Sequence, residues 1–453
     1  MSRLIVSISG VRGIIGDGLG PEVALRFARA FGTYCEGQPV VVGRDSRVSG
    51  EMMECAVIAG LLSVGSSVVR LGVCPTPTTQ LMTERHTAAG GIMITASHNP
   101  IEWNGLKLLA PDGLFLDAEQ SDRVLKLYQN RHFRIQGWEG LGRVSVYGNA
   151  IDDHIQAVIG LPYIHLEQIR ARRFKVVADC INGAGAVILP KMLKELGCDI
   201  MVLNGTPNGR FPRNPEPLPE HLGQVCEAVQ QYGADLGVVV DPDADRLALV
   251  SERGVPIGEE YTLALAVDFV LQQKRGPVVV NVSTSQVIDR IASMYECPVY
   301  RTRVGEINVA RRMREVGAVI GGEGNGGVIS PDVHLGRDSV VGIALILQKL
   351  AATRASLHEI FEALPQFKMV KTKIAVPEGT DVPKLMETIR RAYQSEKLDL
   401  TDGIKIVRPQ AWVQVRPSNT EPILRVMAEA PTEKEARSLA QELLQITQNA
   451  VQS

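Results

Sequence analysis

Three carboxylates alternate in the segment Asp-Pro-Asp-Ala-Asp-Arg, residues 241–246, which we call the aspartate loop. Side chains that alternate along an extended loop point the same way, so Asp241, Asp243 and Asp245 can converge on one point. Converging carboxylates repel each other unless a hard cation with oxygen ligands lies between them. The loop therefore predicts a Mg2+ site, with Arg246 beside it as a ligand for a phosphoryl oxygen.

Alternating aspartates also occur in other kinds of loop. An EF-hand would place Glu252 at its twelfth position, but Arg246 stands at the sixth, where that calcium loop needs glycine. A phosphatase that uses Asp241 as its nucleophile also has an Asp-x-Asp loop after a strand, so that alternative stays open. A solvated acidic turn is the alternative without chemistry.

A second polar segment, Thr-Ala-Ser-His-Asn-Pro at residues 95–100, follows an apolar run and is called the serine loop. Ser97 with His98 as its base would be an acyl-transfer pair, but adjacent side chains rarely face each other and no Gly-x-Ser-x-Gly elbow is present. A phosphoserine at 97 would carry about −1.5 to −2 charges and offer an oxygen to the cation. An ordinary turn hydroxyl and a hydrogen-bonding histidine remain the alternatives.

Lys107 lies ten residues beyond Ser97. A cation and Arg246 nearby would lower its pKa, which would suit a general acid or base. A lysine exposed to solvent is the alternative.

Two further loops offer groups that could bind a ligand. The glycine loop, residues 322–327, contains Glu323 and Asn325 among four glycines that let a ligand approach the backbone, although a plain turn explains it nearly as well. No Walker lysine follows it, which disfavours an ATP site. The arginine hairpin, residues 416–425, has the composition of a phosphate cradle or of a polar turn. Its candidate ligands are Arg416, Ser418, Asn419, Thr420 and Arg425.

The elements that must position these loops form a repeat. Short apolar strands alternate with amphipathic stretches, which predicts parallel sheets built from βαβ units. Three times, a strand opens a unit and a later strand ends in a polar loop: 39–47 with 90–100, 174–185 with 234–246, and 276–285 with 317–327. Functional groups lie at the carboxyl ends of strands in open α/β sheets, so the three polar loops stand where a site is expected.

The tail of the chain has a different pattern. After a strand near residue 368 come a helix, a hairpin over 412–430 and a final helix that begins at Thr432 with Glu435 completing a capping box. The prediction is three tandem α/β domains and a smaller α+β domain. Their expected ranges are 1–148, 149–252, 253–367 and 368–453.

Composition narrows the classes of function. The 453 residues carry a net charge of −2, so no global field favours nucleic acid or an anionic membrane. No run reaches the ~20 apolar residues of a membrane span, and the N-terminus has no signal-peptide pattern. The seven cysteines are scattered without metal-ligand spacing, which favours the reducing cytoplasm.

The serine, aspartate and glycine loops and the arginine hairpin, in this order, resemble the motifs of the α-D-phosphohexomutases. Ser-Gly-Val-Arg-Gly at 9–13 and Val-Gly-Arg-Asp-Ser-Arg at 42–47 are also similar to motifs of that family. The resemblance covers essentially the whole chain. It implies three similar α/β domains with mixed sheets and a TATA-binding-protein-like C-terminal domain around a central cleft.

The same resemblance implies roles for individual residues. Ser97 would be the phosphoserine, and Mg2+ would be bound by its phosphate and the three aspartates. The phosphoryl-transfer site would be lined by Arg12, His98, Lys107 and Arg246, while Glu323 and Asn325 would contact sugar hydroxyls. The arginine hairpin would bind the phosphate that is not transferred. A hexose 1,6-bisphosphate would be both intermediate and activator, and the protein would be a monomer or homodimer.

The expected substrate rests on departures from the family pattern. Many members have Glu-x-Ser-Gly-His in the glycine loop, whereas this chain has Glu323-Gly-Asn-Gly-Gly327, a form that resembles the archaeal-type phosphoglucosamine mutase branch. Glu306 stands where some mannose/glucose mutases carry histidine, and an acidic residue there would favour a sugar ammonium. Glucosamine 6-phosphate is therefore the expected substrate, with a phosphomannomutase/phosphoglucomutase as the alternative. A Mg2+-dependent sugar phosphatase and a non-catalytic sugar-phosphate sensor are less favoured.

Overall fold

The computed structural model describes residues 4–7, 10–377, 380–417 and 423–452. The strands of this part of the chain form four sheets, and we name the units built on them domains I to IV. The first three sheets mix parallel and antiparallel pairs and carry helices, whereas the fourth is antiparallel throughout. The predicted fold class, three α/β domains followed by an α+β domain, is confirmed.

Domain I contains the largest sheet, with strand order β1-β2-β7-β6-β4-β5-β8 and β3 beside β2. Its elements are β1 (Leu4–Ser7), β2 (Gly10–Ile15), β3 (Gly18–Leu19), α1 (Pro21–Tyr34), β4 (Val40–Arg44), α2 (Gly50–Ser63), β5 (Val68–Val73), α3 (Thr76–Arg85), β6 (Gly90–Ile94), β7 (Trp103–Leu109), α4 (Ala118–Gln129) and β8 (Val144–Val146).

Domains II and III repeat a four-stranded sheet, with orders β10-β9-β11-β12 and β14-β13-β15-β16. The elements of domain II are α5 (Ala150–Ile159), α6 (Leu166–Arg172), β9 (Lys175–Asp179), α7 (Gly185–Glu195), β10 (Asp199–Leu203), α8 (Gly223–Tyr232), β11 (Leu236–Val240) and β12 (Leu247–Ser251). Those of domain III are α9 (Glu259–Gln273), β13 (Val278–Asn281), α10 (Val287–Met294), β14 (Val299–Thr302), α11 (Glu306–Val316), β15 (Ile320–Glu323), β16 (Gly327–Ile329), α12 (Ser339–Thr353) and α13 (Leu357–Glu362).

Domain IV has strand order β17-β21-β20-β19-β18. Its elements are β17 (Lys368–Ala375), α14 (Val382–Ala392), β18 (Leu398–Asp399), β19 (Ile404–Arg408), β20 (Ala411–Pro417), β21 (Ile423–Ala430) and α15 (Glu433–Gln452). The predicted hairpin is confirmed by the antiparallel pairing of β20 with β21, and the predicted capping box by bonds between Thr432 and Glu435.

The threefold repeat seen in the sequence corresponds to one structural motif. The two strands of each unit lie side by side and parallel: β4 with β6, β9 with β11, and β13 with β15. The second strand of each pair then turns back into an antiparallel partner, which is β7, β12 or β16. The three polar loops are these turns, so each stands at the carboxyl end of a buried parallel strand, as predicted.

Apolar packing joins the domains to different degrees. The largest cluster of buried apolar side chains runs through domains II and III, whereas domains I and IV have clusters of their own. Domain IV rests on domain III through polar contacts: Ser283 Oγ donates to Gln414 Oε1 at 2.7 Å, and Lys405 Nζ donates to the carbonyl of Val282 at 2.6 Å.

Among the helices of the described residues, none is both long enough and apolar enough to cross a bilayer.

Candidate active site

A cleft of about 690 Å³ lies where the four domains meet. Its walls carry charged and polar side chains from all of them, whereas Ser97, Lys107 and the three aspartates are each at most 7% exposed. The lining includes Arg12, His98, Asn99, Glu216, Arg246, Glu259, Glu260, Glu323, Asn325, Arg337, Lys371, Arg416 and Arg425. Most of the candidate residues from the sequence therefore share one site, although they come from distant segments.

A single buried arginine shapes the serine loop. The Arg47 guanidinium donates to the carbonyls of Ser97 and Asn99 at 2.6 and 2.7 Å, and to those of Pro100 and Trp103 at 2.7 and 2.8 Å. The loop leaves the sheet after Ile94, so its inward carbonyls need donors from elsewhere; Arg47 supplies them, and the Trp103 amide also donates to the Pro100 carbonyl at 3.1 Å. Arg47 is the second arginine of the motif Val-Gly-Arg-Asp-Ser-Arg. Its role is therefore to hold the backbone of the serine loop in place.

The orientation of Ser97 is fixed by its neighbours. Its backbone has φ +50°, a left-handed conformation that costs a non-glycine residue free energy and is common at functional turns. Thr95 Oγ1 accepts from the Ser97 amide at 2.9 Å and itself donates to Asp45 Oδ2 at 2.6 Å. The Ser97 hydroxyl then donates to Asp241 Oδ2 at 3.2 Å, which joins the serine loop to the aspartate loop.

The aspartate loop fits a divalent cation. The oxygens of Asp241, Asp243 and Asp245 lie within 4.8 Å of one another, and all three residues are fully buried. Among the described residues, Asp243 Oδ1 and Asp245 Oδ1 have no hydrogen-bond partner, which is costly for a buried carboxylate. A hard cation coordinated by these oxygens would remove that cost.

The pKa of Asp241 and the pKa of Asp243 shift in opposite directions. Burial raises the pKa of Asp241 well above its usual range, and the negative charges of Asp243 and Asp245 add to the effect. Burial also acts on Asp243, but Lys107 together with hydrogen bonds from Thr76 and Asp241 outweighs it and holds the pKa of that carboxyl below its usual range. The excess negative charge that the sequence predicted is therefore seen at Asp241.

Lys107 lies in the predicted place with an unexpected pKa. Its Nζ is 2.6 Å from Asp243 Oδ2 and 3.4 Å from Asp245 Oδ2, and Thr76 Oγ1 also donates to Asp243 Oδ2 at 2.6 Å. Burial lowers the lysine pKa, but the two carboxylates outweigh burial and the net pKa is raised. The expected lowering of the Lys107 pKa is therefore wrong for the chain without a bound cation. Asp243 and Asp245, rather than Arg246, are the charged groups in contact with Lys107.

The remaining candidates of domains I and II surround the serine. His98 Nδ1 is 3.4 Å from Ser97 Oγ, and the positive charge of Arg246, followed by burial, holds the pKa of this imidazole well below its usual range. Arg12 donates to Asn99 Oδ1 at 3.2 Å. Arg246 donates to Glu216 Oε1 at 2.8 Å, while its buried Nε has no hydrogen-bond partner among the described residues. A neutral imidazole and two guanidiniums suit a dianionic group beside Ser97.

The glycine loop presents Glu323 and Asn325 to the cleft, as predicted. Glu323 Oε1 accepts from Asn281 Nδ2 at 2.9 Å and from the Gly305 amide at 3.0 Å, so this carboxylate is held rigidly. The absence of a side chain at Gly327 has a structural reason. A Cβ there would lie 2.2 Å from Cδ of Arg337, which fills the space that a histidine would need.

Glu306 does not face the cleft in the way that the ammonium argument requires. It is 6% exposed, and its two oxygens accept from Gln80 Nε2 at 2.9 Å and from Arg337 Nε at 3.0 Å. Glu306 is also not among the residues that line the cleft. The structure therefore gives no support to the inference of glucosamine from this position.

The arginine hairpin is described only at its two strands. Arg416 and Arg425 are paired across β20 and β21, and both line the cleft. The buried Nε of Arg416 has no hydrogen-bond partner among the described residues. The predicted ligands Ser418, Asn419 and Thr420 lie outside the described residues.

Sequence reasoning missed three residues that build the site. Arg47 holds the serine loop, Glu216 pairs with Arg246, and Arg337 contacts carboxylates of the aspartate and glycine loops. The sequence shows the motif that contains Arg47 but does not indicate that Arg47 binds the backbone of the serine loop. Glu216 and Arg337 gave no signal of their own, because a single charged residue in a loop is ordinary in a sequence.

Comparison with known proteins agrees with this geometry. The chain matches four domain models described as phosphoglucomutase/phosphomannomutase. These are α/β/α domain I over residues 3–135, domain II over 152–254, domain III over 258–367 and the C-terminal domain over 372–446.

Individual relatives match over nearly their whole length. The chain is 43% identical to a phosphoglucomutase/phosphomannomutase of Thermococcus kodakarensis, with 94% of this chain and 95% of the relative covered. It is 38% identical to a probable phosphoglucosamine mutase of Methanopyrus kandleri, with 98% of each covered. A solved phosphoglucomutase/phosphomannomutase family protein of Burkholderia thailandensis superposes with a TM-score of 0.86 at 26% identity, over 98% of both chains.

Proposed function

The chain belongs to the phosphoglucomutase/phosphomannomutase family, and we propose that it interconverts hexose 6-phosphate and hexose 1-phosphate through a phosphoserine at residue 97. The observation that carries this proposal is the 3.2 Å contact between Ser97 Oγ and Asp241 Oδ2, beside two aspartate oxygens that have no hydrogen-bond partner within the described ranges. A serine that carries a phosphoryl group there would complete a ring of oxygen ligands. A serine whose hydroxyl only stabilised a turn would not have to lie beside the aspartate loop.

The proposed cation is Mg2+, held by Asp241, Asp243, Asp245 and the Ser97 phosphate. When bound, it would supply positive charge to the transferring phosphoryl group. The hexose 1,6-bisphosphate is proposed as intermediate and activator.

In the phosphoryl transfer, the phosphorus–oxygen bond at Ser97 Oγ breaks while a new one forms to the free hydroxyl of a hexose monophosphate, giving the bisphosphate. The proton that the sugar hydroxyl releases balances the one that Ser97 Oγ takes up, so the step involves no net gain or loss of protons. Lys107, which its carboxylate neighbours keep as an ammonium, is the proposed group for proton transfer at Ser97 Oγ. Arg12 and Arg246 stabilise the charge of the transferring group.

The bisphosphate must then turn around so that its other phosphate can return to Ser97. A distant cradle has to hold either phosphate while the opposite end reacts, and Arg416 and Arg425, which line the cleft from domain IV, suit that task. We propose that domain IV closes about a hinge near residues 363–372. Closure would keep water from the phosphoserine, which a leaking cleft would hydrolyse.

Two substrate classes follow from different observations. The glycine loop with Asn325, and the name of the Methanopyrus kandleri relative, favour glucosamine 6-phosphate. The name of the Thermococcus kodakarensis relative favours mannose and glucose phosphates. Glucosamine remains the first proposal, without the support of Glu306. The seven free thiols of the structure suit the cytoplasm as the proposed location.

Phosphorus NMR tests the proposal directly. Purified protein with Mg2+ and a trace of glucose 1,6-bisphosphate receives glucosamine 6-phosphate, mannose 1-phosphate or glucose 1-phosphate in separate tubes. Movement of phosphate between C6 and C1 is the expected result, and the fastest tube identifies the substrate. Release of inorganic phosphate alone would favour a sugar phosphatase instead. Binding without any conversion would favour a sensor.

A further inference from the structure

Three carboxylates from three separate segments converge on the guanidinium of Arg337. Its Nη2 donates to Asp245 Oδ2 at 2.7 Å, its Nη1 to Glu323 Oε2 at 2.8 Å and its Nε to Glu306 Oε2 at 3.0 Å. The residue is 8% exposed and lines the cleft. Because the guanidinium is planar and rigid, these three bonds fix the positions of their acceptors relative to one another.

Arg337 contacts the proposed cation site and the proposed sugar site through one group. At Asp245 it engages Oδ2 and leaves Oδ1 without a hydrogen-bond partner in the described part of the chain. At Glu323 it engages Oε2, while Oε1 is held by Asn281 and Gly305. The same arginine therefore holds one oxygen of each carboxylate, together with Lys107 at Asp245 Oδ2.

The surrounding structure reserves space for this side chain. A Cβ on Gly327 would lie 2.2 Å from Cδ and 2.8 Å from Cγ of Arg337, so the glycine makes room for its stem. Glu306 belongs to neither loop and anchors the third nitrogen from α11. Because Glu306 anchors the guanidinium on one side, Arg337 can contact Glu323 and Asp245 at the same time. A shift of Glu323 would then change the position of Asp245.

We propose that Arg337 is a positioning residue that couples cation binding at the aspartate loop to sugar binding at the glycine loop. The inference rests on the proposed function, since it assigns the two ligands to these loops. A sugar hydroxyl that orders Glu323 keeps Arg337 aligned on Asp245, and this alignment leaves Asp245 Oδ1 directed to the cation. Coupling of this kind is reciprocal, so the cation must also tighten sugar-phosphate binding.

Binding of Mn2+, followed by electron paramagnetic resonance with and without saturating glucosamine 6-phosphate, measures the coupling at equilibrium. In the wild-type protein we expect the sugar phosphate to tighten Mn2+ on the order of tenfold. In Arg337→Met the two affinities should agree within about twofold. Asp243→Asn identifies the signal that belongs to this site, and a protein-free sample corrects for Mn2+ bound by the sugar phosphate.

Two further variants separate positioning from charge and folding. Arg337→Lys keeps the charge but cannot form the three-way fork, so its enhancement should stay below about threefold, and it serves if Arg337→Met does not fold. Arg408→Met is the matched control, because Arg408 also holds two carboxylates, Glu396 and Glu442, but does so elsewhere in domain IV. It should keep the full enhancement.

The inference is overturned if both Arg337 variants retain the wild-type enhancement, or if the wild-type protein shows none. Either result leaves the proposed function to be judged by phosphate movement in the NMR experiment. A split in kinetics gives a second readout: Arg337→Met should raise both the KM for the hexose phosphate and the Mg2+ concentration needed for half-maximal rate. A purely structural arginine would lower the amount of active protein and change neither constant.

Discussion

The hydroxyl of Ser97 lies 3.2 Å from Asp241 Oδ2, although 144 residues separate them in the chain. The contact joins two turns that occupy equivalent places in domains I and II, each after the second parallel strand of its repeat. Equivalent turns of the repeated units therefore bring unlike groups, a serine hydroxyl and a cluster of aspartates that could bind a metal, to one point. Several similar domains can in this way contribute different side chains to the same site.

Replacement of Ser97 by alanine should reduce turnover at least about 1,000-fold, because Ser97 is the proposed carrier of the phosphoryl group. Binding of the hexose phosphate should survive, since the lining of the cleft is unchanged. Phosphorus NMR measures the rate, and isothermal titration calorimetry measures binding. Ser145→Ala, at an exposed serine of β8, is the control and should behave as wild type. Wild-type rates in Ser97→Ala would rule out the phosphoserine.

Replacement of Asp243 by asparagine should weaken Mg2+ by about tenfold or more, because a neutral amide removes one charge from the cation site. Activity should fall accordingly, and the rise in Tm that Mg2+ gives the wild-type protein should shrink. The measurement is a Mg2+ titration of rate and Tm after treatment with a chelator. Asp332→Asn, which removes a carboxylate paired with Lys274 on the surface, should leave both curves in place. An unaltered metal dependence in Asp243→Asn would exclude that ligand.

Replacement of Arg416 by alanine should weaken phosphate binding more than it slows chemistry. A hydrogen bond to a charged group contributes about 1.5–3 kcal/mol, so KM should rise about 10- to 150-fold with a smaller change in kcat. Arg408→Met, which removes another arginine of domain IV, is expected to keep the wild-type KM. Steady-state kinetics with the preferred hexose phosphate decides the matter, and an unchanged KM in Arg416→Ala would count against the cradle.

Much of the architecture could be predicted because it depends on local patterns. The apolar runs before Thr95, Asp241 and Gly324 are strands whose period and flanking glycines are visible in the sequence, and the structure confirms their pairing with the opening strand of each unit. Three alternating aspartates after such a strand predict a cation site for electrostatic reasons alone, and the structure brings one oxygen of each to within 4.8 Å of the others. That inference required no knowledge of the partners.

The contacts between loops could not be predicted, because they depend on which distant segments the fold brings together. Glu306 was expected to meet the sugar, yet Gln80 and Arg337 occupy it. The pKa of Lys107 was expected to fall beside a cation and Arg246, yet in the chain without a cation two carboxylates raise it. Both cases concern a titratable side chain whose environment is set by residues far away in sequence. A period or a spacing describes one segment and contains no information about such partners.

Glu260 offers a test of the electrostatics that does not depend on the reaction. It is 8% exposed at the edge of the glycine loop, where a Cβ on Gly324 would lie 2.0 Å from its Oε2. Burial raises the pKa of Glu260 to about 8, although Lys371 and the Ser285 amide oppose the shift and Glu259 and Glu429 add to it. The folded protein therefore holds a proton on Glu260 between about pH 4.5 and 8 that the unfolded chain releases.

The sign of the pH effect follows from that proton. Stability contributed by the protonated carboxyl is fully present below about pH 4.5 and is lost as the pH rises to about 8. Glu260→Gln mimics the protonated form at every pH, so its Tm should exceed that of the wild type by a few degrees near pH 8 and match it near pH 5. Thermal unfolding at both values measures the difference. Glu167→Gln, at an exposed carboxylate of α6, is the control with no such trend. A Tm difference that is the same at pH 5 and pH 8 would show that Glu260 is ionised in the folded protein across this range.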